Sequence, residues 1–244
     1  MRVSRLYVAQ PLTPDQSVEL DEEGAHYVRT VLRLKPDDAL TLFNGNGCEY
    51  ASVVDEVSRK RVRITIKSRS ERTVESPLQI ILGLGISRGD RMDLTVQKAV
   101  ELGVNTITPL LAERCVVQFT AEKKQQRFQH WQKIIHHAVE QSGRTVMPEL
   151  TEVDNLFNWL NRPTTGLKVF LDPYADNHLT ELQPVDSTVI LLTGPEGGFT
   201  EQERKIAKSS GFTPVRLGSR ILRTETASIA ALAAVQMLWG DFRG

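Results

Sequence analysis

The chain has 244 residues, 40% of them apolar and 25% charged, the composition of an ordinary globular protein with enough apolar material for one or two buried cores. Lys plus Arg and Asp plus Glu balance at 30 each, which argues against a generic nucleic-acid binder working through a broad basic surface; any RNA contact must be confined to patches. Cys48 and Cys115 are far apart and lack Cys-x-x-Cys spacing, so neither a disulfide framework nor a zinc site is indicated. Charge and polarity arrive too early in Met1–Gln10 for a secretory leader, and the longest apolar stretch, Ile229–Val235, is far short of a membrane span. The expected compartment is the cytoplasm.

From the start to about residue 70 the pattern is short strands and tight turns. Strands are predicted at Arg5–Val8, Ala39–Phe43, Cys48–Val57 and Arg61–Lys67, with Asn44-Gly45-Asn46-Gly47 as a hairpin connection and one helix near Glu22–Leu34. Within the last strand, Val62, Ile64 and Ile66 alternate with Arg61, Arg63, Thr65 and Lys67. One face is therefore core and the other basic, either an RNA contact or a solvated outer surface. A boundary falls in the polar stretch Ser70–Ser76 before Pro77, giving domains 1–72 and 73–244.

After Pro77 the period changes. Apolar runs at Leu78–Ile86, Thr106–Leu111, Lys168–Leu171, Val189–Leu192 and Val215–Leu217 alternate with helical stretches at about 90–102, 121–142, 154–161, 201–210 and 225–239. That is an α/β pattern with a largely parallel sheet covered on both faces. Two of the runs feed glycine-bearing loops, Thr193-Gly194-Pro195-Glu196-Gly197-Gly198-Phe199-Thr200 and Leu217 through Ala227. Glycines at 194, 197 and 198 keep Cβ atoms away from an approaching ligand, and Thr200 with Glu203 forms a capping box that pins the loop to the next helix. Thr224 or Thr226 is the expected cap of the final helix.

Other chemistries lack their signatures. Arg88 stands where Gly83-x-Gly85 would need its third glycine for a dinucleotide loop, and no Gly-Lys-Ser/Thr phosphate loop exists. Histidines 26, 130, 136, 137 and 178 show no metal-ligand spacing, and no Gly-x-Ser-x-Gly nucleophile elbow is present. A basic barrel fused to an α/β dimerisation domain, acting without catalysis in ribosome assembly, is the rival reading.

Both loops resemble the cofactor-binding segments of SPOUT-superfamily RNA methyltransferases, and specifically the RsmE family, which methylates N3 of a uridine in 16S ribosomal RNA. Further blocks match that family in order: Ser87-Arg88-Gly89-Asp90-Arg91-Met92, Gln97-Lys98, Glu101-Leu102-Gly103-Val104, Ile107-Thr108-Pro109-Leu110, Glu113-Arg114-Cys115, Trp131-Gln132-Lys133-Ile134 and Glu140-Gln141-Ser142-Gly143-Arg144. One departure is Ser219, where the family usually carries proline, which removes a fixed φ from the second loop. The resemblance implies a PUA-like β-barrel RNA-binding domain followed by a SPOUT-type, Rossmann-like domain with a C-terminal trefoil knot. It also implies a homodimer acting on 16S rRNA in the 30S subunit, with S-adenosyl-L-methionine as cofactor and no metal.

On that basis Leu192, Gly194, Glu196, Gly197, Leu217, Gly218, Ile221, Leu222 and Ala227 are expected at the cofactor, although Ile221 and Leu222 would serve equally as core. Arg223 is the candidate cation for an anion developing on uracil, and Glu225 the candidate base or the residue that orients Arg223. Arg2, Arg5, Arg88 and Arg91 are candidate phosphate contacts, together with Arg61, Arg63 and Lys67 on the basic strand.

Overall fold

The computed structural model describes residues 3–72, 74–115 and 120–243. The chain divides into two compact units: Met1–Glu75 with Val139–Met147, and Ser76–Ala138 with Pro148–Gly244.

The first unit is a five-stranded sheet in the order β1 (Ser4–Tyr7), β3 (Ala39–Phe43), β4 (Cys48–Val57), β5 (Val62–Glu71), β2 (Ser17–Glu19). All pairings are antiparallel except β1 with β3. The alternation in β5 has the expected consequence: Val62, Ile64 and Ile66 are fully buried with Leu40, Leu42, Tyr50 and Val54. Each such aliphatic side chain contributes about 1.5–3 kcal/mol relative to exposure. Gly45 and Gly47, at φ 86° and 83°, make the hairpin turn between β3 and β4.

Two elements here differ from expectation. The predicted helix over 22–34 is a short α-helix, α1 (Glu22–His26), capped by Asp21 accepting from the Gly24 amide at 2.8 Å, then a wider π-helical turn over Tyr27–Leu32. Arg33 ends that turn in the left-handed region at φ 54°. The sequence also gave no sign of residues 139–147 in this unit. There the Arg144 guanidinium pairs with Glu75 at 2.6 Å, the Thr145 hydroxyl donates to the Arg72 carbonyl at 3.0 Å, and the Gly47 amide donates to the Thr145 carbonyl at 3.2 Å.

The second unit is a sheet in which every pairing is parallel. Its order is β12 (Thr213–Val215), β10 (Leu167–Leu171), β11 (Thr188–Thr193), β6 (Gln79–Gly85), β7 (Thr106–Leu111), β8 (Glu149–Leu150), with β9 (Asp154–Asn155) also on β7. Both faces are covered, which is why its strands read as unbroken apolar runs. Phe170, Ile190 and Leu192 face α4 (Leu156–Leu160) and α5 (Glu201–Ser209), packing with Trp159, Phe199, Ala207 and Phe212. Gly83 of β6 makes room for the Trp159 indole: a Cβ there would lie 2.6 Å from the ring. On the opposite face α2 (Gly89–Glu101) packs against α6 (Thr224–Trp239). The remaining helix, α3 (Ala121–Ser142), buries Trp131 and Ile135.

After the edge strand β12 the chain does not stay at the edge. It returns toward the middle of the sheet, where α6 meets β11 and α2, and the Thr224 hydroxyl donates to the Gly194 carbonyl on the way. This strand order and return are the course expected of a SPOUT-type domain. The last strand is shifted from the predicted 215–217 to 213–215 and holds Pro214, which an edge strand tolerates because one side of it needs no donor. Neither predicted threonine caps α6: Arg223 is the N-cap residue, with no side-chain cap bond.

Candidate active site

Three chain segments, each leaving the carboxyl end of a neighbouring parallel strand, converge on one cavity of about 450 Å³. They are Leu171–Tyr174 after β10, Thr193–Phe199 after β11 and Val215–Thr224 after β12; Arg91, Arg114, Arg204 and Ala227 complete the wall. Carboxyl ends of adjacent strands are where open α/β sheets bind ligands, because the turns there diverge and leave main-chain groups uncovered. All the lining residues belong to the second unit.

The first glycine loop is held from several sides. Gly198 sits at φ 64° and donates to the Pro195 carbonyl at 2.9 Å, closing a turn only glycine makes cheaply. The capping box is present as expected: the Glu203 amide donates to the Thr200 hydroxyl at 3.2 Å and the Thr200 amide to Glu203 Oε2 at 2.8 Å. Glu203 Oε1 also accepts from the Glu113 amide at 2.7 Å, and Arg114 donates to the Gly197 carbonyl at 3.2 Å. The 112–115 turn thus fastens this loop. A Cβ at Gly197 would lie 2.7 Å from Arg114 Cβ.

Fit to a polar ligand rests on uncommitted groups. Among the described residues, the amides and carbonyls of Leu217–Leu222 make no hydrogen bond within the chain. The hydroxyl of Thr193, a residue 1% exposed, has no partner, and neither does the buried Oε2 of Glu196. A buried unmet polar atom costs free energy, so the Thr193 hydroxyl and Glu196 Oε2, set beside a loop whose main chain is open to binding, point to a ligand that meets them. Glu196 Oε1 is engaged, accepting from the Arg88 amide at 2.8 Å with Arg91 at 3.6 Å. Charge on the wall is mostly positive: Arg91, Arg114, Arg204, Arg216, Arg220 and Arg223 against Asp172 and Glu196.

Of the residues expected at the cofactor, Gly194, Glu196, Gly197, Leu217, Ile221, Leu222 and Ala227 line the cavity. Leu192 does not; its side chain points into the core under α4 and α5, because alternation along β11 sends residues 190 and 192 to the same face. Gly218, at φ 72°, lines a separate groove with Leu179 and Met237. Ile221 is 77% exposed at the cavity mouth, so core packing does not explain it.

Arg223 lines the cavity, exposed, with no side-chain partner among the described residues. Glu225 is off the wall, and its buried Oε2 is unpartnered. Arg91 lines the cavity, whereas the Arg88 side chain is exposed and outside it. In the first unit, Arg5 departs most from expectation. It is 8% exposed, pairs with Glu49, donates to the Arg144 carbonyl at 2.7 Å and lies over the Phe43 ring at 4.7 Å, so it supports the fold instead of offering a surface charge. Arg61 is exposed and paired with Glu56 at 2.8 Å, which holds the Glu56 carboxyl below its ordinary value; Lys67 is exposed and Arg63 half-buried. Arg2 lies outside the described residues.

Sequence reasoning missed Asp172, Tyr174, Thr193, Arg114 and Arg204. The signal for the first two was present: Asp172-Pro173-Tyr174 immediately follows a predicted parallel strand.

Residues 74–236 match the RNA methyltransferase domain family and residues 20–67 the RNA methyltransferase PUA domain. Among solved structures the chain is similar to a Legionella pneumophila methyltransferase in complex with bound SAM, at 40% identity and a TM-score of 0.96 over 99% of this chain and 100% of that one. It is also similar to a ribosomal RNA small subunit methyltransferase E from Neisseria gonorrhoeae bound to S-adenosyl methionine, at 38% identity and a TM-score of 0.92 with the same coverage. A ribosomal RNA small subunit methyltransferase E of Buchnera aphidicola is 37% identical over 241 residues, 98% of each chain. With a matching catalytic-domain model over most of its length and relatives aligned end to end, the chain belongs to the ribosomal RNA small subunit methyltransferase E family of RNA methyltransferases.

Proposed function

We propose that this protein methylates N3 of a uridine in the 16S rRNA of the small ribosomal subunit, using S-adenosylmethionine, as a cytoplasmic homodimer. The observation that carries the reading is the cavity where three strand ends meet, walled by uncommitted main chain, in a chain whose relatives are solved with that cofactor. Residues 73–244 supply the chemistry, and residues 1–72 the RNA contact through the exposed face of β5.

The free main-chain groups of Leu217 and Arg220–Leu222, together with Gly194, Gly197 and the Thr193 hydroxyl, are the groups that hold the cofactor. Glu196, whose buried Oε2 is unpartnered, is the carboxylate on this mostly positive wall that is open to the cofactor's ribose hydroxyls or sulfonium. When bound, S-adenosylmethionine supplies an electrophilic methyl on a sulfonium. The chain has to align the acceptor nitrogen and exclude water, the two effects that dominate a displacement without a covalent intermediate.

Uracil N3 carries a proton at neutral pH and is a good nucleophile only once that proton has passed to solvent water. Arg223, exposed on the wall and without a side-chain partner among the described residues, stabilises the negative charge that then spreads onto O2 and O4. Glu225 does not line the cavity, so in this reading it contributes charge behind Arg223 and does not touch the base.

The test is transfer of radiolabel from S-adenosylmethionine to 30S subunits from cells lacking the modification, followed by mapping of the labelled base. Label at N3 of one 16S uridine is expected. Label confined to tRNA would overturn the substrate while leaving a methyltransferase.

A further inference from the structure

Tyr174 is an aromatic side chain kept in the open at the cavity wall. It is 71% exposed, although aromatic residues usually bury most of their surface. Its position is built. The Asp172 carboxylate, 6% exposed, accepts from the Tyr174 amide at 3.0 Å through Oδ1, and its Oδ2 lies 3.6 Å from Arg204 Nε. The Arg204 guanidinium in turn sits over the Tyr174 ring, 5.2 Å from its centroid. The Asp172 amide donates to the Val215 carbonyl and the Ala175 amide to the Asp172 carbonyl, so the turn itself is fixed to the neighbouring strand.

One ring face is therefore backed by a cation, and exposure this large leaves the other bare. A flat apolar face, backed by Arg204 and sharing the cavity wall with Arg91, Arg220 and Arg223, has the makeup of sites that take unstacked bases of single-stranded nucleic acid. The aromatic face stacks on a base and the arginines meet the phosphates. Resting on the RNA-methyltransferase reading above, we infer that the open face of Tyr174 is the stacking platform for an unpaired base of the RNA substrate, with Asp172 and Arg204 as positioning residues.

The experiment compares Tyr174→Ala, Tyr174→Phe and Arg204→Gln by calorimetry with S-adenosylmethionine and by steady-state methylation of 30S subunits. Tyr174→Ala should raise KM for the subunit by roughly tenfold or more, the usual effect of losing one base stack. Its kcat and its cofactor Kd should stay within about twofold, which also shows that the variant is folded. Tyr174→Phe should behave as the parent, and Arg204→Gln should fall between. An unchanged KM in Tyr174→Ala, an equal loss in Tyr174→Phe, or weakened cofactor binding in place of the KM effect would each overturn the platform.

A separate measurement covers failure of the methylation reading. In fluorescence anisotropy, the wild type should prefer a uridine oligonucleotide to its abasic analogue, and Tyr174→Ala should not discriminate between them. If no methyl is transferred but this preference holds, the platform stands and the activity falls; if the wild type shows no preference, the platform falls.

Discussion

The hydroxyl of Thr224, the first residue of α6, donates to the main-chain carbonyl of Gly194, 30 residues earlier in the loop after β11. One hydrogen bond thus joins the two glycine loops. The carbonyl also accepts from no other group among the described residues, so the loops hold their mutual position partly through this contact.

Thr224→Val keeps the shape and removes the donor. An unpaired carbonyl costs about 1–3 kcal/mol. Calorimetry should show S-adenosylmethionine binding weakened by roughly fivefold or more, with Tm lowered by about 2–4 °C, and Thr224→Ser should restore both. Undiminished affinity in the valine variant would mean that the loops are placed by other contacts.

Gly85 and Gly197 separate two kinds of crowding. A Cβ at Gly85 would lie 2.5 Å from the Pro195 nitrogen and 2.7 Å from the Gly194 carbonyl carbon, both main chain. Gly85→Ala must therefore push the first loop off β6, and a loss of about 1–3 kcal/mol in denaturant unfolding is expected, together with loss of cofactor binding. At Gly197 the nearest atom is Arg114 Cβ, with the Arg114 carbonyl at 3.0 Å, and Gly197 is exposed. Gly197→Ala should cost less stability and act mainly on cofactor affinity. Equal unfolding midpoints for the two variants would contradict this ordering.

Arg223→Ala removes a side chain that has no structural partner among the described residues. Stability should stay within about 0.5 kcal/mol of the parent, as for surface changes generally. Loss of an electrostatic donor to a developing anion should lower kcat by roughly 100-fold or more, with cofactor Kd unchanged. Unaltered turnover would remove Arg223 from the mechanism.

Gln236 is 1% exposed and spans two segments of the second unit. Its Oε1 accepts from the Ser76 hydroxyl at 2.8 Å, and its Nε2 donates to the Leu102 carbonyl at 2.9 Å. Gln236→Leu removes both of these bonds from half-buried partners, so a destabilisation of about 1–3 kcal/mol for the pair should appear as a lower urea midpoint.

Burial pushes the Cys115 thiol above its ordinary value, opposed by the hydrogen bond its sulfur accepts from the Ala112 amide at 3.3 Å. Because the thiolate is the reactive form, iodoacetamide should label Cys115 slowly at neutral pH in the native protein and rapidly in guanidinium, as followed by mass spectrometry. The folded group holds its proton to higher pH than the unfolded one. Its contribution to stability is accordingly complete below the unfolded thiol pKa and is lost as pH rises through the folded one.

Local chemistry was legible in the order of residues. Alternation placed Val62, Ile64 and Ile66 in a core, the unbroken apolar runs announced a parallel sheet, and Thr200 with Glu203 announced the start of α5; the structure contains all three. These features depend on periodicity and on contacts within a few residues, which sequence spacing encodes directly. The two glycine loops were legible for the same reason.

Convergence was decided only in three dimensions. Leu192 enters the core while its neighbour Thr193 faces the cavity, Gly218 turns into another groove, and Arg5 is spent on Glu49 and the Arg144 carbonyl. Tyr174 and Asp172 reach the site because β10 lies between β11 and β12, so its outgoing turn emerges between the other two loops. Sequence determines what each segment can form and which residues it offers. Strand order, set by packing among segments tens of residues apart, decides which of those residues meet.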